Sequence, residues 1–343
     1  MKRSLYIFQG GTLRRKQNTL CLEWPASGSP SEPDSGTERK YLPVEQVGEI
    51  HLFGTVTLNT KLLEFLSRQE ISVHVYSRRG YYMGSFYPRE HYNSGYLTLK
   101  QAECYLDSER RVDLARRFVE GALLNLGAVL RYYQNRGKRE ELEPIVQAIE
   151  AQRERLPEIG DVEQLMQAEG QAREVYYSAF DRILQNEAFA FEGRSRRPPE
   201  NRLNALLSFG NSLLYTTVLA EIYKTHLDPR IGFLHATNYR RFTLNLDVAE
   251  VFKPILVDRL LFGLIQRRRI QAKHFEEALE GVYLNEQGRR LFVEAWEERL
   301  QTTLYHRGLG RNVSYRRLIR LELYKIEKHL IGEREYRPFR SRW

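Results

Sequence analysis

The residues best able to do chemistry in this chain stand where apolar side chains would be expected. In QLMQAEGQAREVYYSAFDRILQ, Leu165, Ala172, Tyr176, Ala179 and Ile183 recur at i, i+3, i+4 spacing and define a buried stripe, and Glu169 falls inside it. A carboxylate buried there without a partner has its pKa raised or destabilises the fold, so it calls for a cation, a metal or a cleft. An arginine partner is the plainer reading for Glu169 taken alone. Gly170 beside it weakens the helix by about 1 kcal/mol relative to Ala, which suggests the close approach of another backbone or a ligand. The stretch Gly232 to Pro254, GFLHATNYRRFTLNLDVAEVFKP, is similarly mixed. His235 ends an apolar approach, where an isolated imidazole is most often a core histidine. At about 100° per residue, Asp247, Glu250, Pro254 and Asp258 cluster on one side of the helix that follows and make an acidic stripe. Asp247 stands where an N-cap is wanted, with Glu250 three positions on. Pro254 removes the backbone hydrogen bond to the Glu250 carbonyl and predicts a kink. Together Glu169, His235 and Glu250 offer one imidazole and two carboxylates, an N/O set suited to Mg²⁺ or Mn²⁺. A metal so held can polarise a phosphodiester and activate a hydroxyl nucleophile. Spacing alone does not single this set out in a chain of 343 residues.

Two kinds of sequence must position these side chains. SLYIF, NTLCLEW, EIHLFGTVTL, ISVHVYS and YYMGSFYP are short, rich in β-branched and aromatic residues, and read as strands, with one short helix over 61 to 68. ASGSPSEPDSGTER, residues 26 to 39, is rich in Ser, Pro and Gly and reads as a mobile loop. Beyond about Gly95 the apolar residues recur at helical spacing, with helices expected near 140 to 155, 161 to 186, 201 to 225, 245 to 268, 271 to 280, 286 to 304 and 312 to 330. The expected class is therefore α+β: an N-terminal β domain over 1 to 95 and a larger all-α domain over 96 to 343. Asn204, Ser208, Asn211 and Tyr215 form a polar seam along NALLSFGNSLLYTTVLAEIY, suited to hydrogen bonds between helices or to phosphates, and Gly210 permits a tight crossing.

A formal net charge of +9 favours a polyanionic partner, nucleic acid above all, although a basic protein that is merely soluble weighs equally on composition alone. Arginine pairs at 110 and 111, 116 and 117, 240 and 241, 289 and 290, and 316 and 317, with the triplet at 267 to 269, are expected to divide between phosphate contacts and helix ends. The tail from Arg311 mixes cations with aromatics, as phosphate-tracking surfaces do, and reads equally as a solvated helix with a loose end. No apolar run approaches bilayer length and the N-terminus turns polar too soon for a signal peptide, so a cytoplasmic protein is expected. Cys21 and Cys104 have no CxxC partner and read as buried thiols.

NALLSFGNSLLY, LDPRIGFLH and LNLDVAEVFKPILVDRL, in that order and spacing, resemble the core of the CRISPR-associated integrase family, "Cas one". QAEGQAREVYYSAF is similar to the upstream segment that carries the family's first acidic ligand, and the opening KRSLYIFQGGTLRRKQNTLCLE resembles members from type I systems, most of all the B subtype. The resemblance implies a metal-dependent DNA endonuclease and integrase that inserts short duplex DNA into a CRISPR array by transesterification. It places the family's ligands on Glu169, His235 and Glu250, with Asp247 as a supporting acidic position, and Mg²⁺ or Mn²⁺ as the cofactor. Glu at 250 in place of Asp is a common variant. His226 stands where Gly is usual and Lys253 where Arg is usual, neither expected to touch the chemistry directly. The implied partners are double-stranded DNA, a second copy meeting it through the β domain, the "Cas two" dimer and the "Cas four" nuclease. A metal-dependent nuclease acting on branched DNA, and a noncatalytic nucleic-acid scaffold with Glu169 and Glu250 paired to arginine, are the competing readings.

Overall fold

A computed structural model describes residues 2–25, 37–89, 92, 94–237, 242–278 and 281–341. The chain falls into two units, Met1–His91 and Tyr92–Trp343. The first is built from β1 (Arg3–Ile7), β2 (Gly11–Lys16), β3 (Thr19–Pro25), β4 (Thr37–Pro43), β5 (Val47–Leu52), β6 (Val56–Thr57), α1 (Thr60–Arg68), β7 (Ser72–Tyr76) and β8 (Tyr82–Phe86). One sheet runs β1-β5-β7-β8, parallel except for the β7–β8 hairpin, and the other runs β4-β3-β2-β6. Strand alternation sends Ile7, Ile50, Leu52 and Val73 to a core shared with Leu13, Leu20 and the Leu62, Phe65 and Leu66 face of α1. Asn59 starts that helix by accepting the Leu62 N–H at 2.9 Å.

The opposite face of the first sheet is unlike a core. Tyr6, His51, His74 and Ser85 form one row across its four strands, because Tyr6 pairs with His51, His51 with His74, and His74 with Ser85. Glu49 lies two residues before His51, on the same face. Two strands escape the sequence reading. β2 carries GTLRRK, and β4 carries TERKYLP along a largely exposed sheet edge, so backbone pairing to β3 forms it where charged side chains hide the pattern. Residues 37 to 39 of the expected mobile loop thus belong to β4, and residues 26 to 36 lie outside the described residues.

The second unit contains α2 (Gly95–Leu106), α3 (Ser108–Tyr133), α4 (Arg139–Arg155), α5 (Val162–Tyr177), α6 (Phe180–Leu184), α7 (Arg202–Ile222), α8 (Leu244–Lys253) and α9 (Arg259–Gln266). After these come β9 (Phe275–Ala278), β10 (Gly281–Leu284), α10 (Glu286–Gln301), β11 (Thr303–His306), β12 (Arg311–Ser314) and α11 (Tyr315–Leu330). The unit is mostly helical rather than all-α. The helix expected at 271 to 280 is one 3₁₀ turn, Ala272–His274, followed by β9 paired antiparallel to β10. Gly281, at φ +128°, lets the hairpin meet the chain at Pro199: a Cβ there would lie 2.6 Å from the Pro199 carbonyl oxygen, and Val282 N–H donates to that oxygen at 2.8 Å. Residues 303 to 304 and 312 to 314, also expected helical, pair in the β11–β12 hairpin.

α7 corrects a second expectation. It is long and apolar enough to cross a membrane by length and composition, with a mean hydropathy of 1.2. Yet 83% of that window is packed inside the unit, as in a core helix. Gly210 allows the tight crossing, since a Cβ there would lie 2.7 Å from Val257 Cγ1 and 3.0 Å from Phe292 Cζ. The C-terminal segment is not loose: Tyr336 is fully buried with its hydroxyl donating to Glu322 at 2.7 Å, and Ser341 N–H donates to Asn125 at 2.9 Å.

Candidate active site

α8 runs into a π-helical turn at Pro254–Asp258 before α9 begins, so the kink expected from Pro254 takes the form of a wider turn. Along this element Asp247, Glu250 and Asp258 are all buried. Asp247 does not cap its own helix. Thr243 is the N-cap residue, and its hydroxyl is engaged elsewhere, accepting from Gly232 N–H and donating to the Arg230 carbonyl at 2.8 Å each. Asp247 instead brackets the preceding loop. One oxygen accepts the N–H groups of Phe233 (2.6 Å) and Leu234 (3.1 Å), while the other accepts His235 N–H (2.9 Å) and lies 2.7 Å from His235 Nδ1. Gly232 makes room for this, because a Cβ would come within 2.9 Å of Asp247 Oδ2 and 2.8 Å of the Thr243 backbone. Arg111 steadies the same loop by donating to the Phe233 carbonyl at 3.0 Å.

An ionised carboxylate only accepts, so Nδ1 carries the proton in this contact and Nε2 is the nitrogen left for a ligand. Burial opposes the charged imidazolium, but the hydrogen bond to Asp247 and the charges of Asp247 and Glu250 prevail and raise the His235 pKa above its ordinary value.

Opposite this loop, Arg173 of α5 organises the acids. Its Nε and Nη2 donate to Glu169 at 3.1 Å, Nη2 donates to Glu250 at 2.6 Å, and Nη1 lies 3.9 Å from Asp258. Glu169 therefore has the arginine partner that its buried stripe asks for. Lys253 pairs with the other oxygen of Glu250 and sits 5.4 Å from the Tyr215 ring centre, so it touches the acidic cluster directly, contrary to expectation. Gly170 lacks the close backbone neighbour it suggested: a Cβ there would meet no protein atom within 4 Å.

The electrostatics follow from burial and pairing. Burial pushes the Glu169 pKa up, reinforced by the neighbouring Glu250 charge. For Glu250 burial also works upward, but Lys253 and Arg173 overcome it and hold the carboxyl low. Burial raises Asp258 to about 6. Among the described residues Glu169, Glu250 and Asp258 thus share two cations, Arg173 and Lys253, while Asp247 is paired with His235. A divalent cation would balance that excess, and two carboxylates with an oriented imidazole form a donor set that fits a hard or borderline metal. With Arg173 between Glu169 and Glu250, however, these two and His235 are not a group with three ligand atoms within 4.8 Å of one another. Among the described residues the group that does is Glu49, His51 and His74, on the first sheet of the β unit. Sequence reasoning passed over it, although Glu49 and His51 alternate in EIHLF and His74 occupies the equivalent place in ISVHVYS.

Much of the basic charge is spent on structure. Arg116 donates to the Leu156 and Ile159 carbonyls, Arg117 to Asp113 and the Tyr336 carbonyl, Arg289 to the Leu284 carbonyl, and Arg316 to Glu297. Within the polar seam, Asn204 and Ser208 accept from Arg194 at 2.9 and 3.1 Å, so this part of the seam joins segments of the unit. Arg136, Arg259, Arg267, Arg269 and Arg299 line one cleft together with Tyr132, although Arg269 also pairs with Glu298 and Arg299 donates to the Ile255 carbonyl. Arg240 and Arg241 lie outside the described residues. Both cysteines are free and buried, and burial lifts the Cys104 thiol to about 11.

Comparison with known proteins places these features in a family. The model of the family described as CRISPR associated protein Cas1 matches residues 5–298. The chain is 54% identical over 343 residues to CRISPR-associated endonuclease Cas1 2 of Thermodesulfovibrio yellowstonii, covering 100% of both chains. It superposes on the solved structure of a Cas1 protein from Thermotoga maritima with a TM-score of 0.85 and 48% identity, covering 97% of this chain and 99% of that one. A casposase bound to integration product gives a TM-score of 0.86 at 19% identity, covering 100% of this chain and 95% of that one, and shares the fold. The chain belongs to the family of CRISPR associated protein Cas1.

Proposed function

We propose that this chain is a metal-dependent DNA endonuclease and integrase that inserts short duplex DNA into a CRISPR array by transesterification. Glu169, Glu250 and the Nε2 of His235 would hold Mg²⁺ or Mn²⁺, and Asp247 would position His235. The observation that carries this reading is the Asp247 bracket, in which one carboxylate takes three consecutive backbone N–H groups and Nδ1 of His235. That is more than a core histidine needs, and it leaves a ligand nitrogen of fixed orientation beside an acidic cluster. When bound, the metal would supply Lewis-acid stabilisation of charge on the phosphodiester oxygens.

The chain's own side chains supply the rest. Arg173 and Lys253 keep Glu250 ionised in a buried place, so it would meet a metal as an anion at neutral pH in exchange for one of these cations. The cleft of five arginines, two of which, Arg136 and Arg259, lie over the Tyr132 ring, suits a DNA backbone. Positioning of a 3′-hydroxyl against the target phosphodiester would carry much of the rate. Further parts of the proposal rest on family resemblance: a homodimer meeting through the β unit, work with a Cas2 dimer and the "Cas four" nuclease, a type I system of the B subtype, and action in the cytoplasm.

The test is strand transfer of a duplex oligonucleotide into a supercoiled plasmid carrying a CRISPR repeat. Joined product with Mn²⁺ and none with chelator is expected. Cleavage of a branched substrate without joining would instead mark a branched-DNA nuclease. The arginine-paired carboxylates favour a second reading, a noncatalytic DNA-binding scaffold, which predicts DNA binding indifferent to Mn²⁺ and no processing at all.

A further inference from the structure

The β unit carries a group of side chains that the proposed chemistry leaves unused. Glu49 and His51 on β5 and His74 on β7 are 2%, 1% and 0% exposed. Each presents a ligand atom, and these atoms lie within 4.8 Å of one another. Strand register explains the convergence, because His51 and His74 are direct cross-strand partners in a parallel pair and Glu49 precedes His51 on the same face at period two. Both imidazoles are tethered through Nδ1: His51 to the Tyr76 hydroxyl at 3.0 Å, and His74 to the Ser85 hydroxyl at 2.7 Å, which itself meets the Tyr82 hydroxyl at 2.8 Å. The Nε2 atoms are therefore the ones offered to the common space. Tyr6 stacks on His51 at 4.4 Å between ring centres and fixes that ring from the far side.

The spacing resembles ligands around an ion more than a donor facing an acceptor. His51 Nε2 is 3.4 Å from Glu49 Oε2 and makes no hydrogen bond. A tetrahedral ion with bonds of about 2.0–2.1 Å holds neighbouring ligands about 3.3–3.4 Å apart. Two imidazoles whose other nitrogens meet hydroxyls, plus one carboxylate and no thiolate, form the N/O set that suits Zn²⁺. We infer that Glu49, His51 and His74 bind a divalent transition metal of the Zn²⁺ class, tying β5 to β7 with a solvent oxygen in the fourth position. This site shares no residue with the cluster around Glu250.

The test uses the full-length chain carrying His235→Gln, which removes the imidazole of the helical cluster. Titration with Co²⁺ as the spectroscopic probe should give the intense visible absorption of a tetrahedral site at about one equivalent per chain. Adding His51→Gln or His74→Gln should abolish it. Ser85 is only partly buried, and Ser85→Ala removes the hydroxyl tethering His74 while leaving every ligand in place. It should weaken Co²⁺ affinity by about tenfold to one-hundredfold, which keeps the proposal testable if the histidine variants fail to fold. Absence of tetrahedral cobalt absorption in the His235→Gln chain overturns the assignment. So does its persistence after His51→Gln or His74→Gln, or an affinity in Ser85→Ala equal to that of its parent.

Discussion

The two units of this chain both bring carboxylates to imidazole, and they do so under opposite constraints. In the β unit Glu49, His51 and His74 are set by strand register, and three ligand atoms fall within 4.8 Å. In the helical unit Glu169, His235 and Glu250 come from α5, a loop and α8, and the two glutamates are drawn onto one guanidinium, Arg173. A sheet places neighbouring side chains at fixed distance by its backbone alone, whereas helices and loops depend on partners such as Asp247 and Arg173 to hold theirs. The helical cluster is thus electrostatically satisfied in part before any metal arrives and can exchange one cation for another. The β cluster has fixed donors and little freedom to rearrange.

The largest expected effect follows from that dependence. Arg173→Ala leaves buried Glu250 beside half-buried Glu169, two carboxylates of like charge, and should destabilise the metal-free protein by about 3 kcal/mol, measured by urea unfolding. Mn²⁺ should recover part of the loss if the acids bind metal, and no recovery would make Arg173 a structural partner only. Asp247→Asn comes next. Asn cannot accept from all four donors that Asp247 serves, and the imidazole loses its carboxylate, so Mn²⁺ affinity should fall about 10–100-fold by calorimetry. Unchanged affinity would remove His235 from the ligand set.

A pH profile gives a smaller and distinct signal. The folded pKa of His235 is raised above 6.5, so the native state binds more protons than the unfolded state in that window. The stability contributed by the His235–Asp247 pair is then fully present below pH 6.5 and lost as pH rises through the folded pKa. Metal-free wild-type protein should show this decline on a chemical denaturation series, and His235→Gln should not. The smallest effect concerns the helix that carries Glu169. Gly170→Ala meets nothing within 4 Å and should stabilise by up to about 1 kcal/mol, detectable as a rise in Tm. A loss of stability would mean that the surroundings of Glu169 are tighter than described.

What the sequence disclosed divides along the same physical line. The buried stripe of Leu165, Ala172, Tyr176, Ala179 and Ile183 was legible because burial on a helix repeats at a fixed period, and all five are buried. An arginine partner for Glu169 was legible too, but only the fold identifies it as Arg173, at i+4, and shows that it also reaches Glu250. Family resemblance made Asp247 a supporting acid, but its contacts were hidden, because its sequence position resembles an N-cap while its oxygens serve a loop twelve to fourteen residues earlier. β4 and the β9–β10 hairpin escaped for a related reason. Their pairing is made by backbone groups, and the charged side chains of TERKYLP in β4 and FEEA in β9 carry no strand alternation.

The central claim, that the cluster around Glu250 performs the DNA chemistry, is tested most directly by strand transfer with Glu250→Gln in Mn²⁺, alongside a circular dichroism check that the variant is folded. Joined product should fall by about 100-fold or more. A folded Glu250→Gln protein that joins DNA at the wild-type rate would contradict it.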